Sequence, residues 1–562
     1  MNSLGTYDYV VFLVYFVIVA SYGYWVYHKK KSDAENSKDF FLAKDSLTWW
    51  AIGASLIASN ISAEQFIGMS GSGFTMGLAI ATYEWMAAVT LIIVAVFFIP
   101  VYLKNKIYTM PQFLGQRYNS TVAMIMAIFW LLLYVVVNLT SILYLGALAI
   151  NSVSGINITA CMYILAVFAV LITLGGMKVI GYTDVIQVFF LILGGLATTY
   201  LALELVATHF GGSGVAQGMQ LITEKASDHF HMIFKQENPN YMDLPGLTVL
   251  IGGMWIVNLN YWGCNQYITQ RALGADLQTA RSGLLFAAVL KLLMPLIVVV
   301  PGIAAYVLYK EGYGDFQNAM QKNGSLNADS AYPVLLNLLP EGLKGVSFAA
   351  LAAAIVASLA GKANSIATIF TLDVYKKVIN KNADENKQVI IGRITVIASM
   401  LIAIIIAPHL GMDKKGGFQF IQEYTGFVSP GIFAMFILGF FWKKTTSNAA
   451  MFATIGGFLL SVFFKVLPKF ANLEWLSPFG FSKLVTQEDG TMLYEIPFLD
   501  RMGFVFLISV LVMWIISTIE GRKGANPKGL EIDSSMFKTS NSFAAGALIV
   551  LGIIVALYTV FW

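Results

Sequence analysis

The chain is poor in the residues from which soluble enzymes and nucleic-acid-binding proteins are built. Charged residues make up only 12% of its 562 residues, and it contains two cysteines and five histidines. Cys161 and Cys264 both fall within apolar stretches, which argues against a disulfide framework or a zinc motif. The histidines lie in loops or at the ends of apolar stretches, so a histidine proton relay is not expected. The absence of a glycine-rich phosphate loop and of an ATPase domain argues against direct ATP drive.

Hydrophobic residues are abundant instead, at 57% of the chain, and the mean hydropathy is +0.71. Apolar stretches long enough to span a bilayer recur from end to end. The sequence therefore predicts an all-α polytopic membrane protein with about 14 transmembrane helices. They are expected near residues 8–27, 48–72, 77–103, 118–150, 157–177, 181–207, 246–266, 279–309, 343–377, 389–408, 417–441, 446–467, 502–519 and 541–561.

Lysine and arginine are distributed unevenly between the connecting segments. If the N-terminus is outside, roughly 22 of the 35 Lys and Arg face the cytoplasm and about 11 face outside. Both termini are therefore predicted to be external. Lys29 to Lys31 follow the first apolar stretch, so that stretch is expected to remain as an anchor rather than act as a signal peptide. The net charge of +4 is explained by topology, and no nucleic-acid partner is predicted.

A polar interruption within the second apolar stretch is the most informative feature of the sequence. Residues 58–65 read ASNISAEQ and place Asn60, Glu64 and Gln65 at membrane depth. Non-helical backbone is tolerated in a bilayer where it lines a cavity or is buried in protein, and secondary transporters build their sites at such breaks. The alternative is a kinked or re-entrant segment whose polar groups pack between helices.

A second interruption is expected within residues 255–266, WIVNLNYWGCNQ. Five spans separate the two breaks, so the second half carries inverted topology relative to the first. Two broken helices at matching positions of two five-helix halves are typical of an inverted repeat.

Polar side chains within the other spans are compatible with a sugar site. Sugar hydroxyls donate and accept hydrogen bonds, so carboxylate, amide and ammonium groups suit them, together with an aromatic face for the ring. Glu84, Asn60, Asn258, Gln422 and Lys291 supply the first set, and Tyr83, Tyr261 and Phe418 the second. Many intramembrane amides merely bridge helices, and we favour that role for Asn138, Asn265 and Asn364.

Four segments carry a resemblance to a known family. Residues 55–69 (SLIASNISAEQFIGM), 183–187 (TDVIQ), 364–368 (NSIAT) and 424–426 (YTG) are similar to the sodium/solute symporter family, in its sodium/glucose branch, close to bacterial sodium/galactose symporters. The similarity extends from about residue 8 to the C-terminus. It implies a LeuT-type core with a five-plus-five inverted repeat at residues 47–441. An extra helix and cytoplasmic loop would precede it at 1–46, and three peripheral helices would follow at 442–562.

The resemblance also implies roles for individual residues. The sugar site would comprise Asn60, Glu84, Tyr134, Asn258, Lys291 and Gln422. Met69, Tyr83 and Phe418 would form the outer gate and Tyr261 the inner gate. Sodium would be held by the backbone carbonyls of Ala58, Ile61 and Ala354 and the hydroxyl of Ser358, with Asp184 on the ion path. The chain departs from the family pattern at Ala87, Ala357 and Asn260.

The expected function is sodium-coupled secondary active symport of a neutral, galactose- or glucose-like hexose by alternating access, with Na+ as the coupling ion. An enzyme is not expected. The alternatives are a proton-coupled or passive sugar transporter, or a transporter-like sugar sensor. The predicted setting is the inner membrane of a bacterium, with sugar, sodium and the lipid bilayer as partners. The oligomeric state is left open.

Two further expectations concern charged side chains within the predicted spans. Glu84 is expected to balance the charge of Lys291 in a core free of arginine, and in a solvated cavity the two groups need not be in direct contact to do so. Lys362, four residues after Ser358, is expected near the place where some relatives hold a second sodium ion, so one sodium per sugar is predicted. Asp184 is its candidate partner, and snorkelling to cytoplasmic water is the alternative.

Overall fold

The protein is almost entirely helical in the computed structural model, which describes residues 4–29, 41, 47–322, 324–409, 417–487 and 489–562. The basic segment predicted after the first span falls largely outside these residues. Two short antiparallel hairpins lie in connecting segments, β1 with β2 and β3 with β4. Their bounds are β1 Gln321–Lys322, β2 Ser325–Leu326, β3 Lys483–Thr486 and β4 Met492–Glu495.

The first half of the chain forms helices α1 to α10. Helix α1 has 24 residues, about 36 Å at 1.5 Å per residue, which is enough to cross a bilayer. π-Helical turns at Val94–Phe98 and Leu133–Leu139 join successive helices, and a third at Glu64–Met69 leads from the break into Ser70–Met76. The helices are α1 Thr6–Lys29, α2 Trp49–Asn60, α3 Ser70–Met76, α4 Thr82–Ile93, α5 Ile99–Lys104, α6 Met110–Arg117, α7 Ser120–Leu132, α8 Thr140–Ser154, α9 Ile158–Thr173 and α10 Gly176–His209.

The second half of the core begins after a long connecting segment. Helix α18 continues through a π-helical stretch at Ile369–Ile379. The helices are α11 Val215–Lys225, α12 Thr248–Ile251, α13 Gly253–Gly263, α14 Gln266–Leu273, α15 Leu277–Lys310, α16 Phe316–Ala319, α17 Ala331–Asn337, α18 Leu343–Thr368, α19 Glu385–Ile406, α20 Gly417–Gly426 and α21 Ser429–Phe441. The C-terminal helices are α22 Ser447–Met451, α23 Gly457–Val466, α24 Phe498–Arg522 and α25 Asn541–Val560.

Within the described residues, 10 helices are long and apolar enough to cross a membrane, or 11 if the pair α20 and α21, bent by 53°, is one span. A multi-pass membrane protein is therefore confirmed, whereas the predicted number of helices is not. The difference has a physical cause. The predicted spans 48–72 and 246–266 are each divided by a break into helices too short to span alone, and α9 has only 16 residues.

Helix α18 forms the centre of the molecule and is the most buried of these candidate spans. It packs chiefly against α10, and α2 packs between α15 and α10. Small residues permit these close approaches. A Cβ atom added at Gly194 of α10 would lie 2.6 Å from the Cβ of Ala350 on α18, so the two helices are in direct backbone-level contact there.

Candidate functional site

The predicted interruption of the second span is present, and its own side chains stabilise it. Helix α2 ends at Asn60, and Ile61 is extended, with φ −84° and ψ 114°. The side-chain oxygen of Gln65 accepts the backbone N–H of Ser62 at 2.9 Å, and the Ser62 hydroxyl accepts the N–H of Glu64 at 3.1 Å. This resembles a capping box, which satisfies the donors at the start of the following helical segment. The break is therefore encoded locally.

The second interruption lies at Cys264 and Asn265, between α13 and α14. Asn265 is the N-cap of α14, and its side-chain oxygen accepts the backbone N–H of Tyr267 at 3.2 Å. The same oxygen accepts a hydrogen bond from the hydroxyl of Tyr134. The amide thus caps one helix and bridges to another, which agrees with the structural role expected for Asn265.

Three backbone oxygens at the end of α2 meet the hydroxyl of Ser358 on α18. The Ser358 Oγ atom lies 3.4 Å from the carbonyl oxygen of Ala58, 2.9 Å from that of Ser59 and 3.2 Å from that of Ile61. The last carbonyls of a helix lack intrahelical partners and form the negative end of its dipole. Ala354 is buried one turn before Ser358 on the same helix. This oxygen-rich junction is suited to a monovalent cation, which broken transporter helices bind in this way.

Glu84, Lys291 and Asn60 form a closed polar cluster. The Lys291 ammonium donates to Glu84 Oε2 at 2.5 Å and also to the side-chain oxygen of Asn60. The same ammonium lies 5.3 Å from the ring centroid of Trp262. Glu84 and Lys291 are only 2% and 1% exposed, so each neutralises the other inside the protein. Glu84 balances the charge of Lys291 as expected, but the pair is buried and in direct contact and does not face a solvated cavity, because a buried charge must be paired.

Two of the predicted outer-gate residues, Tyr83 and Phe418, pack against each other. The rings of Tyr83 and Phe418 meet edge to face with centroids 5.0 Å apart, and Met69 is fully buried. Gly68 allows the backbone of Phe418 to approach closely, since a Cβ atom at Gly68 would lie 2.7 Å from the backbone nitrogen of Phe418.

A cavity adjoins the cluster at Asn60. Of the predicted sugar ligands, Asn60, Tyr134 and Gln422 line it, together with the predicted inner gate Tyr261. The hydroxyl of Tyr261 accepts a hydrogen bond of 3.1 Å from the Asn60 amide, which connects the cavity wall to the Glu84–Lys291 cluster. Other polar residues of its wall are Ser59, Ser62, Glu64, Asn138, Asn260, Asn265, Lys362, Thr425 and Ser429.

Asn258 stands apart from these groups. Its amide nitrogen donates to the carbonyl oxygen of Met254 one turn earlier on α13, at 3.1 Å, and it is buried. It is not part of the cavity lining or of the Glu84–Lys291 cluster. Its role as a sugar ligand stays a prediction, as do the roles of the other site residues.

Asp184, predicted to lie on the ion path, is bound to α2. The Ser55 hydroxyl donates to Asp184 Oδ2 at 2.5 Å and accepts from the Nε of Arg271 at 2.9 Å. Both charged residues are completely buried. The expectation of a core without arginine is therefore wrong. Arg271 lies between the predicted spans 246–266 and 279–309, so the sequence places it in a connecting segment, but every residue of α14, which carries it, is buried in the protein.

Lys362 has different partners from those predicted. Its ammonium donates to the side-chain oxygen of Asn138 at 3.1 Å and lies 3.8 Å from the ring centroid of Tyr267. Asp184 is bound to Ser55 instead, so the predicted Asp184–Lys362 pair is wrong. Lys362 is 5% exposed and lines the cavity beside Glu64, so snorkelling to the membrane surface is also not observed. Asn138 thus bridges helices, as expected.

Sequence reasoning missed two of these features. Arg271 was missed because counting basic residues in the connecting segments predicts the side of the membrane on which a residue lies, but not whether it is buried in the protein. The signal was its spacing of four from Tyr267, which places both on one face of a helix. Ser55 was part of the quoted motif without a role, since only the fold brings its hydroxyl between Asp184 and Arg271.

The broken helices, the oxygen-rich junction and the paired intramembrane charges together define a secondary-transporter fold. The chain matches the sodium:solute symporter family over residues 40–457, and it belongs to that family. It is therefore a membrane transporter and not an enzyme.

Particular relatives cover most or all of the chain. It is 46% identical over 568 residues to the sodium/glucose cotransporter of Vibrio parahaemolyticus, covering 100% of this chain and 99% of that protein. It is 33% identical over 479 residues to human sodium/myo-inositol cotransporter 2, covering 81% of this chain and 69% of the relative.

The solved structure of a substrate-bound, outward-open Na+-coupled sialic acid symporter has a similar fold. The TM-score is 0.75 at 21% identity, with 94% of this chain and 100% of that chain covered. At this identity the likeness concerns the fold alone, and it supports the LeuT-type architecture that the family resemblance implied.

Proposed function

We propose that the protein is a sodium-coupled symporter of a neutral hexose, galactose or glucose, in the inner membrane of a bacterium. The observation that carries the proposal is the convergence of the Ala58, Ser59 and Ile61 carbonyls on the Ser358 hydroxyl. A cation at this junction ties α2 to α18, and α2 ends at Asn60 beside the Glu84–Lys291 cluster. Ion binding and sugar binding thus act on the same broken helix. The whole-length relative named a sodium/glucose cotransporter supports this assignment.

A neutral substrate is favoured by the charge balance of the cluster. Glu84 and Lys291 neutralise each other, so an ionised substrate would add an uncompensated charge to a buried site. Sugar hydroxyls can replace the hydrogen bonds that the carboxylate, ammonium and Asn60 amide now make with one another. Gln422 and Tyr134 lie in the adjoining cavity and offer further polar contacts, and the Tyr261 ring offers an apolar face.

Alternating access follows from the two gates. Sodium enters first and stabilises the outward-open form by holding α2 against Ser358. Sugar then binds, and Met69, Tyr83 and Phe418 close over it. On the cytoplasmic side, low sodium releases the ion, α2 separates from α18, and sugar leaves past Tyr261. Each ligand must bind one conformation better than the other, since coupling arises only from that difference. Residues 47–441 form the transport core in this scheme, with 1–46 and 442–562 peripheral and both termini external.

One sodium ion per sugar suffices for accumulation. One charge crossing 100 mV contributes about 2.3 kcal/mol, which corresponds to roughly fifty-fold accumulation of sugar. No second ion is required by this arithmetic.

Uptake by purified protein in liposomes tests the proposal. Labelled galactose or glucose should accumulate above its equilibrium level under an inward sodium gradient. It should only equilibrate, or not enter, under a proton gradient of equal size. Accumulation driven by protons would establish a proton-coupled transporter, equilibration under both gradients a passive one, and binding without uptake a sugar sensor. Each of these three results would overturn the proposal.

A further inference from the structure

Of the four buried arginines among the described residues, Arg501 pairs directly with Glu423, and two others bind backbone oxygens. Arg117 donates to the backbone oxygens of Gly439, Trp442 and Thr445 at 2.7 to 3.0 Å. Arg281 likewise donates to three backbone oxygens, those of Ala95, Met536 and Lys538. Such arginines tie segments together and have no carboxylate among these partners.

Arg271 is different because its guanidinium is only partly satisfied. Nε donates to the Ser55 hydroxyl and Nη1 donates to the backbone oxygen of Tyr267, whereas Nη2 has no hydrogen-bond partner. The Asp184 carboxylate is also only partly satisfied, since its Oδ2 accepts a hydrogen bond from Ser55 and its Oδ1 has no hydrogen-bond partner. A single hydroxyl therefore joins a fully buried cation to a fully buried anion. Leaving buried polar atoms unpaired is costly, so such an arrangement calls for a functional reason.

The unpartnered Nη2 lies beside the junction proposed to hold sodium. A Cβ atom added at Gly361, on α18, would be 2.4 Å from Nη2 and 3.2 Å from the Ser59 hydroxyl. Gly361 is three residues after Ser358, and the carbonyl of Ser59 is the nearest of the three to the Ser358 hydroxyl. The Ser59 hydroxyl also has no partner. The guanidinium thus occupies the space between α2 and α18, one turn from the ion site.

We propose that Arg271 is a tethered cation that closes the path between the Ser358 ion site and Asp184. The proposal rests on the sodium coupling proposed above. For sodium to reach the unpartnered Oδ1 of Asp184, the guanidinium must leave Ser55. The exchange replaces one cation by another beside the same carboxylate, so the net buried charge stays constant. An uncompensated carboxylate at this depth is thereby avoided during ion release. Arg271 acts on the path of the ion and is a positioning residue.

Sugar-independent flux of labelled sodium through proteoliposomes measures closure of this path. Arg271→Gln should raise that flux about tenfold or more, the factor that corresponds to one charged hydrogen bond. Arg271→Lys keeps a cation and should restore most of the closure. Gly361→Ala retains the charge but intrudes on Nη2, so it should also raise the flux. Arg281→Gln is the matched control, because it removes a buried arginine that binds only backbone oxygens, and its flux should equal that of the wild type.

The outcomes separate this proposal from the proposed function. If wild-type hexose uptake does not depend on sodium, the proposed function fails. If uptake depends on sodium but Arg271→Gln and Gly361→Ala remain as closed as the wild type, only the role of Arg271 is refuted. Equal leaks in Arg271→Gln and Arg281→Gln would also refute it, since they would indicate general loosening. If Arg271→Gln does not assemble, Arg271→Lys and Ser55→Ala are measured in its place. Ser55→Ala removes the hydroxyl between Arg271 and Asp184 and should raise the sodium flux. A wild-type flux in Ser55→Ala would refute the proposal.

Discussion

Replacing Ser358 by alanine tests the ion site most locally. The change removes one oxygen from a junction where three backbone oxygens lie within 3.4 Å of that hydroxyl. An interaction with a charged group contributes about 1.5–3 kcal/mol, so the sodium concentration for half-maximal uptake should rise about 10- to 150-fold. The maximal rate at saturating sodium should change much less, since the sugar ligands are untouched. Hexose uptake measured across a sodium series provides both values.

Ser365→Ala is the matched control for this experiment. Ser365 is on the same helix and equally buried, but its hydroxyl bonds the Gly361 carbonyl of its own helix at 3.1 Å. Its removal should leave the sodium dependence unchanged. Stabilisation of the purified protein against heat by sodium should be weakened in Ser358→Ala and retained in Ser365→Ala. If the two variants have the same sodium dependence, the Ser358 hydroxyl only bonds the end of α2, and the reasoning is refuted.

Three further predictions concern the gate, the cavity and Lys362. Gly68→Ala should hinder closure of the outer gate over Phe418 and lower hexose uptake, while sodium binding persists. Its control is Gly503→Ala, which should transport normally because an added Cβ atom there meets nothing within 4 Å. Equal hexose uptake by the two variants would refute the role of Gly68 in the gate. Gln422→Ala should lose hexose uptake but keep sodium-induced thermal stabilisation, and uptake at the wild-type rate would exclude it from the sugar site. Lys362→Met removes a positive charge one turn from Ser358, so half-maximal hexose uptake should need several-fold less sodium. An unchanged sodium dependence would show that Lys362 does not influence the ion.

The two interruptions could be predicted from sequence because their causes are local. Ser62 and Gln65 are three residues apart, as a capping box requires, and Asn265 precedes α14 as a cap. The meeting of Ser358 with α2 came from the family resemblance, since nothing in spacing alone brings residues 300 positions apart together.

The electrostatic pairing could not be predicted from sequence. Lys362 was the one cation predicted to pair with Asp184, because no arginine was expected in the core. The fold differs, because α14 inserts Arg271 toward Ser55 while Lys362 points to Asn138. The predicted number of spans is not confirmed for a related reason, since hydropathy reads a broken helix as a continuous one.

The ratio of sugar accumulation to the sodium gradient tests sodium-coupled symport most directly. In liposomes held at zero membrane potential, the steady-state inside-to-outside ratio of labelled hexose is measured at several imposed sodium ratios. With one sodium per sugar, the logarithm of the sugar ratio should rise with the logarithm of the sodium ratio with a slope of about one, because the two free energies balance at steady state. A slope of about two would contradict the single-ion stoichiometry. A slope of zero would contradict sodium-coupled symport itself.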